Sequence, residues 1–280
     1  MPWHHAIHGA KRIAASLAVA AAASAALVAL PVPTALARND EALEIQPELD
    51  QGLLGEGRQA YRERADHDRA RDAYRLFKRN YEQNPDDATA AWHLSMACYY
   101  LGLRVERDAE VRKAIHDEGR AVADRALAID PSCGPCHLLS AVNHALWAEQ
   151  VGIFRAIVGL PTVKSHLAQA ARLDPTFAGA AALRVQATIA ERLPRMFGGG
   201  KGKARRLIEQ AIVVSPDEPL NYEVLANLLV SKYDDVPLAL SVARRGLAVP
   251  EPAPEYVESR DSIAYLKRFV DVHSTLLSAR

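Results

Sequence analysis

The run Cys133-Gly134-Pro135-Cys136-His137 is the sharpest chemical signal in the chain. Two thiols at this spacing can close a disulfide or act as a dithiol redox pair. The same five residues fit covalent haem, with thioether bonds to Cys133 and Cys136 and His137 as axial ligand. A third reading is structural: a disulfide between Cys133 and Cys136, or two small buried cysteines, at the start of a helix. A loop this short gives a disulfide only a modest entropic gain. The structural reading is preferred. His137 falls six residues after Pro131, where a core-facing side chain is expected, and His144 shares its helix and cannot reach the opposite face of a haem ring. No cofactor is therefore expected.

Other candidate chemistry is weaker. Gly198-Gly199-Gly200-Lys201-Gly202-Lys203 resembles a phosphate loop in composition, but Ala204 stands where Ser or Thr is needed and a helix precedes it. A flexible inter-helix loop is the expectation. The histidines from His67 onward are His67, His93, His116, His137, His144, His166 and His273. No two have metalloprotease spacing. His137 and His144 share a helical face without a local third ligand, so packing is expected and a metal site is not. No serine occupies a nucleophile elbow. The acidic pairs Asp86-Asp87 and Asp234-Asp235 stand at helix starts, where capping explains them. The sequence thus offers no catalytic set, and no enzyme activity is expected.

Helices must position these groups. The hydrophobic fraction is 49% but aromatics are 6%, and Ala and Leu dominate the apolar content. That composition favours closely packed helices over a sheet sandwich. Lys+Arg and Asp+Glu both total 34, so there is no electrostatic footprint for nucleic acid. Four prolines, Pro85, Pro131, Pro175 and Pro216, each close an Ala-rich segment, at spacings of 46, 44 and 41 residues. Before each, a stripe recurs at offsets 0, 4 and 7: Ala73, Phe77, Asn80; Gly119, Ala123, Ala126; Val163, Leu167, Ala170; Ala204, Ile208, Ala211. These offsets share one helical face, and small residues there let a neighbouring helix approach closely. The proline stops the helix and drives the preceding residue out of the helical region.

The stripe and its proline resemble the second helix of a tetratricopeptide repeat (TPR). Tyr222, Leu225, Ala226 and Leu229 match its first helix well, and Trp92, Leu94 and Cys98 match loosely. The resemblance covers roughly residues 57–250 and implies an all-α, TPR-like α-solenoid of irregular antiparallel helix pairs. The run from Leu193 to Lys201, with the helix carrying Ala204 and Ala211, looks like exported TPR-like proteins that include the T-component of TRAP transporters. That family is thought to associate with a solute-binding component, which would imply an accessory role in solute transport. Its members are usually lipoproteins, and no cysteine stands near the expected cleavage site here. Cys-Gly-Pro-Cys is also the thioredoxin tetrapeptide. That fold needs a strand before the motif, where this chain has an Ala-rich helix ending at Asp130-Pro131.

Expected helices cover residues 53–83, 88–103, 105–129, 135–151, 162–173, 177–193, 203–214, 220–231, 236–248 and 258–279. Residues 1–37 read as a signal peptide, with Lys11 and Arg12 before an apolar run from Ile13 to Leu30 and cleavage after Ala37. An exported, periplasmic protein is the expectation, without stable membrane insertion after cleavage. Residues 38–250 read as the repeat domain, and 251–280 as a proline-rich break followed by a capping helix. Trp92, Tyr99, Tyr100 and Tyr222 are candidates for a partner groove, and core filling competes for the same rings. The sequence thus points to a scaffold for a protein or peptide, or for a second copy of itself. A transport accessory and a haem or redox protein built on Cys133 and Cys136 are the alternatives.

Overall fold

A computed structural model describes residues 52–278; the expected signal peptide and the stretch to residue 51 lie outside the described residues. The described chain forms two compact units that divide after Pro175. The first holds α1 (Leu53–Arg62), α2 (His67–Gln83), α3 (Ala88–Tyr100) with a π-helical turn over Leu101–Val105, α4 (Ala109–Ile129), α5 (Gly134–Val151) and α6 (Ile153–Leu173). The second holds α7 (Phe177–Arg192), a short 3-10 turn Arg195–Phe197, α8 (Lys201–Val214), α9 (Pro219–Leu228) with a π-helical turn Leu229–Tyr233, α10 (Val236–Leu247) and α11 (Val257–Ser278). No strand occurs among the described residues. The fold is all-α and TPR-like. Consecutive helices pair as α1/α2, α3/α4, α5/α6, α7/α8 and α9/α10, and α11 packs on both α9 and α10.

The four prolines act as local sterics require. Asn84, Asp130, Asp174 and Ser215 each leave the helix with φ between −129° and −143°. Each still donates its N–H to the last residue of its stripe: Asn84 to Asn80 O, Asp130 to Ala126 O, Asp174 to Ala170 O and Ser215 to Ala211 O, at 2.8–3.0 Å. The twelve stripe residues are all buried. Phe77, Leu167 and Ile208 are wholly inaccessible, and burial of such a side chain contributes ~1.5–3 kcal/mol.

Helix starts are set by acidic caps. Asp66 accepts from Asp68 N, Asp87 from Thr89 N, Asp108 from Glu110 N and Val111 N, Glu218 from Leu220 N, and Asp235 from Leu238 N, at 2.8–3.1 Å. The second residue of each acidic pair, Asp87 or Asp235, is thus a cap.

The structure departs from the sequence-based helices at three places. The expected helix over 53–83 is two, because Asp66 caps a new start and the Arg64 guanidinium lies 4.4 Å from the Tyr61 ring, with Nη1 donating to Tyr61 O. The segment 152–161, left between the expected helices 135–151 and 162–173, is helical from Ile153 on and through Pro161. The proline ring opposes the carbonyl of Ile157 one turn earlier, and both residues are exposed, so water can take up the freed carbonyl. Finally, Ala178, Gly179 and Ala180 form a left-handed turn at φ 50°, 65° and 61°.

Candidate functional site

A buried polar network fixes three helices of the first unit. Ser95 Oγ on α3 donates to Gly119 O on α4 at 2.7 Å. Asn143 on α5 donates Nδ2 to Ser95 O and Ser95 Oγ at 3.1 Å, and its Oδ1 meets His116 Nδ1 at 3.0 Å. Ser95, His116 and Asn143 are buried, and this satisfied network specifies helix register. Burial holds the His116 imidazole below its ordinary pKa.

The neighbouring His93 on α3 is wholly inaccessible. Its Nδ1 meets Thr89 O at 2.8 Å and its Nε2 accepts from Arg58 Nε at 3.1 Å. Desolvation pushes its pKa down to about 3, so the ring is neutral and both nitrogens are engaged. His93 and the network leave one strip of α3 half-exposed: Trp92, Met96 and Tyr99, at offsets 0, 4 and 7. Trp92 stacks on the His93 ring at 3.7 Å between centroids.

Two of the four proposed groove aromatics are core residues instead. Tyr100 is 3% exposed, set edge-on to Tyr61 at 5.9 Å with the Arg64 guanidinium 5.2 Å away. Tyr222 is 5% exposed, and its Oη donates to Pro216 O at 2.8 Å. Each packs against a neighbouring helix or turn. Trp92 and Tyr99 remain.

At the cysteine motif, Cys133 and Cys136 are joined by a disulfide. Cys133 is the N-cap of α5, with its Sγ accepting from Cys136 N at 3.1 Å. His137 Nε2 meets Pro131 O at 3.1 Å, and its Nδ1 meets His166 Nδ1 on α6 at 2.9 Å. This parallels Tyr222 and Pro216, the same six residues apart. Both ring nitrogens of His137 are thus hydrogen-bonded, and the two sulfurs are joined to each other. His144 lies beside Asp124 and Arg120, with its Nε2 3.4 Å from Asp124 Oδ2. Burial lowers the pKa of His144 and His166 alike. No group of three or more His, Cys, Asp or Glu among the described residues is arranged to hold a metal.

The glycine-rich segment is a hydrogen-bonded turn. Gly200 N donates to Ala190 O at 2.6 Å and Gly199 N to Pro194 O at 3.1 Å. A β-carbon on Gly199 would lie 2.0 Å from Leu193 O, so only glycine fits. Lys203 Nζ reaches Gly198 O and Lys201 Nζ reaches Lys232 O, so both ammonium groups meet backbone carbonyls.

Sequence reasoning missed a polar cluster in the second unit. Arg184 donates Nη1 to Gly179 O and Asn221 Oδ1 at 2.8 Å and Nη2 to Ala178 O at 3.1 Å, pinning the left-handed turn. Glu218 lies against Gly179 and accepts from Ser259 Oγ at 3.0 Å; burial raises its pKa. Glu223 on α9 is 2% exposed, and burial pushes its carboxyl up to about 7. Adjacent cations and acids in sequence did not signal this cluster, because Arg184 and Asn221 lie 37 residues apart.

Comparison with known proteins agrees with the fold. The family described as Regulator of microtubule dynamics protein 1-3 matches residues 53–184. The crystal structure of a thermophilic TPR protein from Thermus thermophilus superposes with a TM-score of 0.56 at 20% identity, covering 78% of this chain and 99% of that one. At that identity the likeness is one of fold. No curated protein sequence matches.

Proposed function

We propose that the protein is an exported, periplasmic scaffold that holds a protein or peptide on the Trp92–Met96–Tyr99 strip of α3. The observation that carries this reading is the contrast around α3. One strip presents an indole, a thioether and a phenol half-exposed, while the Ser95–Asn143–His116 network and His93 lock the rest. Rigid aromatic anchors on a fixed helix are what partner recognition favours. TPR-like folds commonly serve such binding, and the second copy of a homo-oligomer is one candidate occupant. A role beside a solute transporter is a second reading, favoured by the fixed Leu193–Lys201 turn that carries the TRAP likeness. Crosslinked pull-down from the periplasm, with mass spectrometry, tests the proposal. A partner lost from a Trp92→Ser/Tyr99→Ser variant of unchanged helicity supports it; a partner retained by that variant refutes the α3 strip. N-terminal sequencing that finds Met1 in place of Arg38 refutes export with cleavage after Ala37.

A further inference from the structure

We propose that Cys133 and Cys136 form a thiol–disulfide exchange site that accepts two electrons from a protein dithiol. This goes beyond the scaffold reading and does not depend on it.

The two sulfurs are not equivalent. Cys136 is wholly inaccessible and belongs to the apolar core of the first unit. Cys133 is half-buried at the mouth of the turn, beside the exposed Pro131 and Ser132. An incoming thiolate can reach only Cys133.

The position of Cys133 suits a leaving and returning thiolate. Five other helix starts are capped by a carboxylate: Asp66, Asp87, Asp108, Glu218 and Asp235. At α5 the same position holds sulfur, with the Cys136 N–H aimed at it from 3.1 Å. Pro135 brings no N–H to the first turn, which leaves the Cys136 N–H as the donor that faces the sulfur. α5 runs for 18 residues, so its positive end also acts on that atom. A helix N-terminus and a direct N–H donor both favour thiolate over thiol.

Other charged groups around the turn oppose or leave this effect unchanged. Asp130 precedes the turn but directs Oδ1 to Ser132 N and Oγ at 2.9 and 2.6 Å. Asp174, at the end of α6, places its β-carbon against Gly134. His137 and His166 are hydrogen-bonded to each other, and burial holds the His166 imidazole below its ordinary pKa. The negative charges of Asp130 and Asp174 disfavour a thiolate, whereas the Cys136 N–H favours one by direct contact.

The exchange balances without a further reagent. A thiolate of the partner's dithiol attacks Cys133 Sγ. The Cys133–Cys136 bond breaks, its electron pair passes to Cys136 Sγ, and that sulfur takes a proton. The partner's second thiol, deprotonated by solvent, attacks its own sulfur in the mixed disulfide and expels Cys133 as thiolate. The partner leaves with one disulfide, and the pair has gained two electrons.

Alkylation of the reduced full chain by iodoacetamide across pH, read by peptide mass, tests the proposal; the buried Cys98 is followed as its own peptide. Cys133 should be half-reactive at least one pH unit below a free cysteine, whose pKa is ~8.5. A Cys136→Ser variant should form a mixed disulfide with oxidised glutathione at residue 133, and a Cys133→Ser variant should form none at residue 136. Circular dichroism checks that each variant is folded, and the wild-type pH profile stands alone if one is not. Cys133 reactivity only at or above pH 8.5, or a disulfide that reduced glutathione opens only in denaturant, would show a structural crosslink and overturn the proposal.

Discussion

Gly119 on α4 lies so close to Cys98 on α3 that a β-carbon placed on it would fall 2.7 Å from the Cys98 β-carbon. The Asn143 amide is as near on the other side, at 2.8 Å. Gly119 opens one of the four stripes, and this double contact shows why that position must be minimal. Gly119→Ala should cost ~1–3 kcal/mol by overpacking. Gly202→Ala, where only the tip of Arg206 approaches within 3.8 Å, should be neutral or gain up to ~1 kcal/mol. Ala211→Phe, at the close of the last stripe, should cost ~1–3 kcal/mol or more. Urea denaturation of the three variants checks the order.

The stripes and their prolines were legible in sequence because their causes are local. Pro85 bars Asn84 from helical geometry whatever surrounds it, and Phe77 and Ala73 share a face by helical arithmetic. Features with distant causes were not legible. The left-handed turn at Ala178–Ala180 depends on Arg184 and Asn221, and the burial of Tyr100 depends on Tyr61 and Arg64. Trp92 and Tyr100 look alike as aromatics of one helix, and only packing against α1 separates a half-exposed ring from a core ring.

The neutral, buried His93 predicts acid sensitivity. Its folded pKa of about 3 lies below the ordinary value of 6.5. The unfolded chain therefore binds a proton first, and the stability is fully present above pH 6.5 and lost as pH falls toward 3. The slope for this group is at most ~1.4 kcal/mol per pH unit. His116, shifted the same way, adds to it. Urea midpoints from pH 8 to pH 4 should fall, and should fall less steeply in His93→Gln.

Glu223 predicts the opposite dependence in the second unit. Its folded pKa of about 7 exceeds the ordinary 4.5 because burial penalises the charge. Its contribution is present below pH 4.5 and is lost as pH rises through 7. Glu223→Gln should leave stability near pH 5 unchanged and raise it at pH 8 by ~1–3 kcal/mol. Thermal melts at the two pH values check this.

The aromatic residues should divide into two classes. Tyr100→Ala and Tyr222→Ala remove buried rings and should each cost ~3 kcal/mol or more. Trp92→Ala and Tyr99→Ala should cost less and should carry the loss of partner binding. Paired stability and binding measurements on the four variants check the division.

Docking of a partner on the α3 strip is tested by a photocrosslinking amino acid placed at Met96 in cells. A matched probe at Val213, 69% exposed on α8, is the control. A discrete crosslinked product, protein or second copy, should form from position 96, be absent from position 213, and be lost when Trp92 and Tyr99 are both changed to Ser. No product at position 96, or the same product at both positions, would contradict it.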